Sequence, residues 1–235
     1  MSSVNTKLLF QDVPNRSEYR TYVETGVALG GSIESACRNE SFNKLFTIEL
    51  SPQLYKKAME RIIKNFTPVT IKSGTNTATT LEFCHKGQNK TLTFILGNSK
   101  IELPKLLKEL PEKAVILLDA HYCKGDIAEW TAKFEFPLWD ELYNLKLRNK
   151  DDIVIVDDEH TFGKLRKDLA DGGLEEGWMN VTEQNILEYM GDHVVRSIKI
   201  GDSFALFLKE SREEAKPWSS EKTNDGNVMS ASSVH

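Results

Sequence analysis

Apolar and polar positions along this chain switch between two periods. Short apolar or β-branched runs at residues 21–24, 45–49, 91–96, 114–118 and 153–156 predict strands, and they are continuous, as expected for strands covered on both faces. Between them lie helical spacings. Leu54, Tyr55, Ala58, Met59, Ile62, Ile63 and Phe66 recur at i, i+3, i+4 behind Ser51-Pro52, a cap followed by a first-turn proline. Gly97-Asn98-Ser99 breaks one strand and caps a helix carrying Leu103, Leu106, Leu107 and Leu110, with Pro104 expected in its first turn. Further helices are predicted at 32–39, 137–147, 161–169 and 183–189.

Two segments depart from this alternation. Residues 68–83 are rich in threonine and poor in helical period, and with the turn at 86–89 they predict an inserted hairpin. Residues 194–200 and 203–208 flank Gly201-Asp202, a hairpin signal with a two-residue turn. Repeated βα units predict an α/β fold: a doubly wound, mostly parallel seven-stranded sheet with helices on both faces and a C-terminal antiparallel hairpin. Ligands of such sheets bind beyond the carboxyl ends of the strands.

Composition narrows the classes. The 235 residues and 40% hydrophobic content suit one sizeable domain, taken as 19–210, with an N-terminal arm at 1–18. From residue 211 to 235 the chain turns to Glu, Lys, Ser, Asn and Gly, which predicts a disordered tail. A net charge of −5 with interleaved signs offers no basic field for nucleic acid or an anionic membrane. Cys37, Cys84 and Cys123 give neither a disulfide framework nor zinc-ligand spacing. Leu8-Leu9-Phe10 is far short of a signal-peptide core, so a cytoplasmic, membrane-free protein is expected, with a homo-oligomer left open.

The most specific stretch is Glu24-Thr25-Gly26-Val27-Ala28-Leu29-Gly30-Gly31-Ser32, followed by Glu49 at the end of the next strand. Glycines at a strand end allow a sharp turn into a helix, and an acid roughly 20 residues on can bind ribose hydroxyls. A dinucleotide fingerprint would need glycine at position 28, where the pyrophosphate touches the backbone; here it is Ala28. Glu24 would also repel phosphates but suits a cationic amino-acid group. S-adenosylmethionine has such a group and no phosphate. The expected cofactor contacts are Glu24 at the ammonium, Gly26, Gly30 and Ser32 around the methionine end, Glu49 on the ribose diol, Gly97, Asn98 and Ser99 beside the adenine, and Asp119 at the next strand end.

Three acids, Asp119, Asp157 and Asp158, fall at predicted strand ends, where converging carboxylates call for a cation. Oxygen-only donors favour magnesium, although Asp157-Asp158 equally suits a helix cap and Asp119 an ordinary strand end. His121 leaves the same strand end as Asp119 and is the candidate general base, while His160 fits a helix start or the cleft rim. Residues 123–136 are long enough for a lid. There Trp130 and Phe134 would stack on a sugar or other ring, or pack on the domain surface; both readings stand.

The terminal hairpin resembles that of class I S-adenosylmethionine-dependent methyltransferases, over roughly residues 19–209. Glu24-x-Gly26-x-x-x-Gly30-Gly31-Ser32, Leu118-Asp119-x-His121-Tyr122 and Ile155-Val156-Asp157-Asp158 together resemble the metal-dependent sugar O-methyltransferases of the macrocin and aminocoumarin type. The resemblance implies methyl transfer to a hydroxyl of a sugar, glycan or other small molecule. It also implies magnesium on Asp119, Asp157 and Asp158. That family often carries an acid as proposed base where this chain has His121. The rival readings are a metal-independent small-molecule or protein methyltransferase, a non-catalytic nucleoside-binding protein of the same fold, and a nicotinamide oxidoreductase.

Overall fold

The computed structural model describes residues 13, 16–120, 137–163, 179–212 and 215–218. In chain order the strands and helices are β1 (Thr21–Thr25), α1 (Gly31–Arg38), β2 (Lys44–Glu49), α2 (Pro52–Asn65), β3 (Val69–Gly74), β4 (Ala78–His85), β5 (Gln88–Leu96), α3 (Ser99–Glu109), β6 (Ala114–Leu118), α4 (Leu138–Arg148), β7 (Ile153–Val156), α5 (Glu183–Met190), β8 (Val194–Ile200) and β9 (Ser203–Leu208). One sheet joins all the strands in the order β3-β4-β5-β2-β1-β6-β7-β9-β8. The run from β5 to β7 is parallel.

The sheet has nine strands rather than the seven expected. The two additional strands are β3 and β4, the threonine-rich insertion, which pair antiparallel outside β5. The β4–β5 hairpin closes on Lys86 and Gly87, with φ of 49° and 78°, so its turn is two residues long and β5 begins at Gln88 rather than Thr91. Left-handed conformation at both central residues matches the twist of the flanking strands. The C-terminal pair follows the expectation: β8 and β9 are antiparallel across Gly201-Asp202. Strand β9 inserts between β7 and β8, and all six of its residues, Ser203 to Leu208, are buried.

Period two places the core on both faces. Strand β6 sends Val115 and Leu117 towards Ile33, Cys37, Ala58 and Ile62 of α1 and α2. It sends Ile116 and Leu118 towards Leu103 and Leu107 of α3, Leu142 and Leu145 of α4, and Ile186 of α5. Strand β7 divides likewise, Ile153 and Ile155 to one face, Val154 and Val156 to the other. Caps are as the sequence implies: Ser51 Oγ accepts the N–H of Leu54 at 3.3 Å, and Asn98 Oδ1 that of Lys100 at 2.9 Å. Pro104 falls in the second turn of α3, because the Asn98 cap starts that helix at Ser99.

The described part of the C-terminal segment is docked, which its polar composition does not announce. Trp218 stacks on Trp139 of α4 with centroids 3.9 Å apart and planes 6° apart. Tyr189 Oη donates to the carbonyl of Lys216 at 2.8 Å. Among the described residues, no helix is long and apolar enough to cross a membrane.

Candidate active site

The turn leaving β1 is held from three sides. Gly26 takes φ 78° and donates its N–H to the carbonyl of Ile48 at 2.9 Å. A Cβ there would lie 2.3 Å from the carbonyl oxygen of Asp119, so the end of β6 demands the glycine. Ala28, at the place of the absent glycine, is itself left-handed at φ 46°. Its N–H donates to Glu49 Oε2 at 3.0 Å, while Glu49 Oε1 accepts the N–H of Ser51 at 2.8 Å. Burial pushes the Glu49 carboxyl up, and these backbone donors oppose the rise. Gly97 joins the same corner, its N–H donating to the Glu49 carbonyl at 2.8 Å.

Glu24 points to the α1 face of β1 and is wholly buried. Ser32 Oγ donates to its Oε1, so Ser32 is turned towards Glu24, whereas the sequence suggested a ligand contact. Glu24 Oε2 is buried with no hydrogen-bond partner among the described residues. Burial raises this carboxyl well above its usual range, the Ser32 bond opposes the rise, and Asp119, Glu49 and Asp157 add to it. A cationic amino group is the partner such an oxygen lacks.

The other predicted residues have more local duties. Gly30 is the left-handed cap of α1, and a Cβ on it would meet Ala58 of α2 at 3.1 Å. The Asn98 side chain is engaged in capping α3. Asp119 donates its N–H to the carbonyl of Thr25 at 3.0 Å, fixing the end of β6 beside that of β1. His121 and the loop at 123–136 lie outside the described residues.

The expected metal trio is not what converges. Among the described residues, the set whose donor atoms all lie within 4.8 Å of one another is Asp158, His160 and Asp202. His160 Nδ1 lies 2.6 Å from Asp202 Oδ2, and Asp158 is left-handed at φ 57°, opening a short 3-10 turn at Glu159–Thr161. Asp157 instead accepts Ser203 Oγ at 2.6 Å. The reason is the hairpin: the turn between β8 and β9 brings Asp202 and Ser203 to the end of β7. Asp119, Asp157 and Asp158 are not, as a trio, a set of described residues whose donor atoms all lie within 4.8 Å of one another.

One buried acid escaped the sequence reading. Glu141 in the first turn of α4 is only 1% exposed, its Oε1 has no hydrogen-bond partner among the described residues, and burial pushes its carboxyl up to about 7. The signal was present, since Glu141 is three residues after Leu138 and four before Leu145, on the stripe that buries both.

No protein-family model and no curated protein matches the sequence. Solved structures do. A Staphylococcus aureus protein assigned as a caffeoyl-CoA O-methyltransferase superposes with a TM-score of 0.50 at 14% identity, over 87% of this chain and 80% of that one. An O-methyltransferase from Bacillus cereus in complex with SAH gives 0.47 at 15% identity, over 87% and 78%. Strand order, the inserted antiparallel strand and the first of these likenesses define the class I methyltransferase fold, α/β and Rossmann-like.

Proposed function

We propose that the chain is an S-adenosylmethionine-dependent O-methyltransferase whose acceptor is a hydroxyl of a sugar, glycan or other small molecule. The observation carrying this reading is Glu24: a buried carboxyl with one orphaned oxygen, at the end of the first strand, beside a left-handed glycine turn and the Glu49 carboxylate. A phosphate ligand would be repelled there. A ligand ammonium would be paired.

When bound, the donor supplies a methyl group activated by its sulfonium for in-line displacement. Glu24 would hold the ammonium, with its carboxylate oriented by the Ser32 hydroxyl. Glu49 would take the ribose hydroxyls without releasing the N–H groups of Ala28 and Ser51. Gly97, Asn98 and Ser99 would border the base. An acceptor hydroxyl needs a proton acceptor, and this role is proposed for His121, with Asp119 beside it at the end of β6.

Magnesium and the sugar acceptor belong to the resemblance, and no step is drawn through the metal because its expected ligands do not converge. That same observation favours a second reading, metal-independent transfer to a hydroxyl. A thermal-stabilisation screen with S-adenosylmethionine, S-adenosylhomocysteine and NAD tests the donor, with stabilisation by the first two expected and by NAD alone overturning it. Methyl transfer to sugar-hydroxyl acceptors, with and without chelator, then decides between the two mechanisms. Donor binding without transfer to any hydroxyl would leave a nucleoside-binding protein.

A further inference from the structure

Two turns meet beyond the carboxyl end of β7, and each brings donor atoms to the same point. Asp158 opens the 3-10 turn at Glu159–Thr161 and His160 lies within it, while Asp202 comes from the turn between β8 and β9, 42 residues further along than His160. His160 Nδ1 lies 2.6 Å from Asp202 Oδ2 and 4.0 Å from Asp158 Oδ1. Both carboxylates are partly exposed and the imidazole is mostly so, which leaves the point open to an ion arriving from solvent.

The arrangement is fixed by the backbone as well as by side chains. Asp202 Oδ1 accepts the N–H of His160 at 2.9 Å, and the Asp202 carbonyl accepts that of Glu159 at 2.9 Å. Ser203 Oγ donates to Asp157 Oδ1 at 2.6 Å and locks the start of β9 to the end of β7. Lys199 of β8 reaches the same corner, where its ammonium pairs with Glu159 at 2.9 Å and Glu183 at 2.5 Å. The donors of Asp158, His160 and Asp202 are therefore set in place by the fold, as a metal site requires.

Their chemistry selects the ion. Nitrogen and carboxylate donors lie about 2.0–2.2 Å from a bound zinc-class ion, and so roughly 3–4 Å from one another. The 4.0 Å separation fits this span, and the 2.6 Å one need widen only slightly. An imidazole nitrogen between two carboxylates suits Mn2+, Co2+ or Zn2+, whereas Mg2+ prefers oxygen donors and keeps much of its water.

We propose that Asp158, His160 and Asp202 form a binding site for one divalent first-row transition ion, different from the trio of Asp119, Asp157 and Asp158 that the sequence resemblance implies. The ion takes the place of the proton between His160 Nδ1 and Asp202 Oδ2: that proton passes to solvent, and the nitrogen lone pair goes to the metal. Three protein donors leave the remaining coordination positions to water or to a ligand oxygen. The site rests on this geometry and stands apart from the methyl-donor reading.

The experiment is calorimetric titration of the chelator-treated full chain with Mn2+, Co2+, Zn2+ and Mg2+, together with electron spin-echo spectra of the Mn2+ form. One equivalent of Co2+ or Zn2+ is expected to bind at least about tenfold more tightly than Mg2+, and the Mn2+ echo should carry the modulation of a coordinated nitrogen. His160→Ala and Asp202→Asn should each weaken binding by about tenfold or more, whereas Asp119→Asn, which alters only the other trio, should leave the metal affinity within about twofold. No saturable binding, Mg2+ bound as tightly as Co2+, or affinity retained in His160→Ala overturns the inference. Loss in Asp119→Asn with affinity kept in Asp202→Asn overturns it in favour of the other trio. The native echo decides the matter if a variant fails to fold, since a spectrum without nitrogen modulation also overturns the site. Failure of S-adenosylmethionine to stabilise the chain would sink the proposed function and leave this site standing.

Discussion

The N–H of Ala28 donates to Glu49 Oε2 at 3.0 Å, so the acid that ends β2 latches the turn that leaves β1. Removing it frees two backbone donors, on Ala28 and Ser51, as well as the proposed ribose contact. Glu49→Ala is expected to weaken S-adenosylmethionine binding by about tenfold or more and to lower the melting temperature by a few degrees. Glu49→Gln, which keeps an acceptor oxygen, should fall between. Unchanged affinity in Glu49→Ala by titration calorimetry would remove Glu49 from the site.

Gly26 and Gly97 should respond differently to alanine. At Gly26 a Cβ meets the carbonyl oxygen of Asp119 at 2.3 Å with φ 78°, and that backbone cannot yield without moving β6. Gly26→Ala is expected to cost about 2–4 kcal/mol. At Gly97 the nearest atom is Glu102 Cγ, 2.7 Å away on a side chain that can turn aside. Gly97→Ala should cost about 1 kcal/mol or less. Urea denaturation of the two variants measures both.

Stability should fall as pH rises through the range in which Glu141 loses its proton. Burial raises this carboxyl to about 7 in the folded chain from 4.5, so the folded state binds more protons between those values. Its contribution is complete below about pH 4.5 and is lost by about pH 7, on the order of 3 kcal/mol at most. Glu141→Gln should flatten the stability profile over this window, while Glu24, also raised by burial, keeps part of the slope. A variant profile parallel to the native one would refute the assignment.

At the opposite end of the sheet, Arg148 Nε lies 2.7 Å from Asp152 Oδ2, with both side chains almost fully buried. The same guanidinium donates to the carbonyls of Leu107, Leu110 and Glu112, and Asp152 Oδ1 accepts the N–H of Ala114 at 2.9 Å. Arg148→Ala leaves a buried carboxylate uncompensated and should cost about 3–5 kcal/mol in urea unfolding. Ligand affinity of the folded fraction should not change, because these residues join the amino ends of β6 and β7.

Much of the fold is legible in the chain. Strands β6, β7 and β9 have the bounds that their apolar runs imply, because two-sided burial writes itself as continuous hydrophobicity, and the bounds of the edge strand β8 follow from its turn at Gly201-Asp202. The hairpin of β3 and β4 was visible only as threonine-rich sequence, since antiparallel pairing at a sheet edge leaves a weaker pattern than burial does. Of the site, the glycine turn, Glu24 and Glu49 were legible. Their spacing follows from a strand, a turn and a helix in direct succession.

Local pattern therefore determines the α/β alternation, the C-terminal hairpin and the turn after β1, because strand and helix periods act over a few residues. Convergence across the sequence does not obey such a rule. Ser32 turns to Glu24, and Asp158 gathers with His160 and Asp202 in place of Asp119 and Asp157. Each pairing depends on which strands lie side by side and how helices pack over them. In this chain that order is set by β9 inserting between β7 and β8 and by α4 settling against α3, neither of which a single segment encodes.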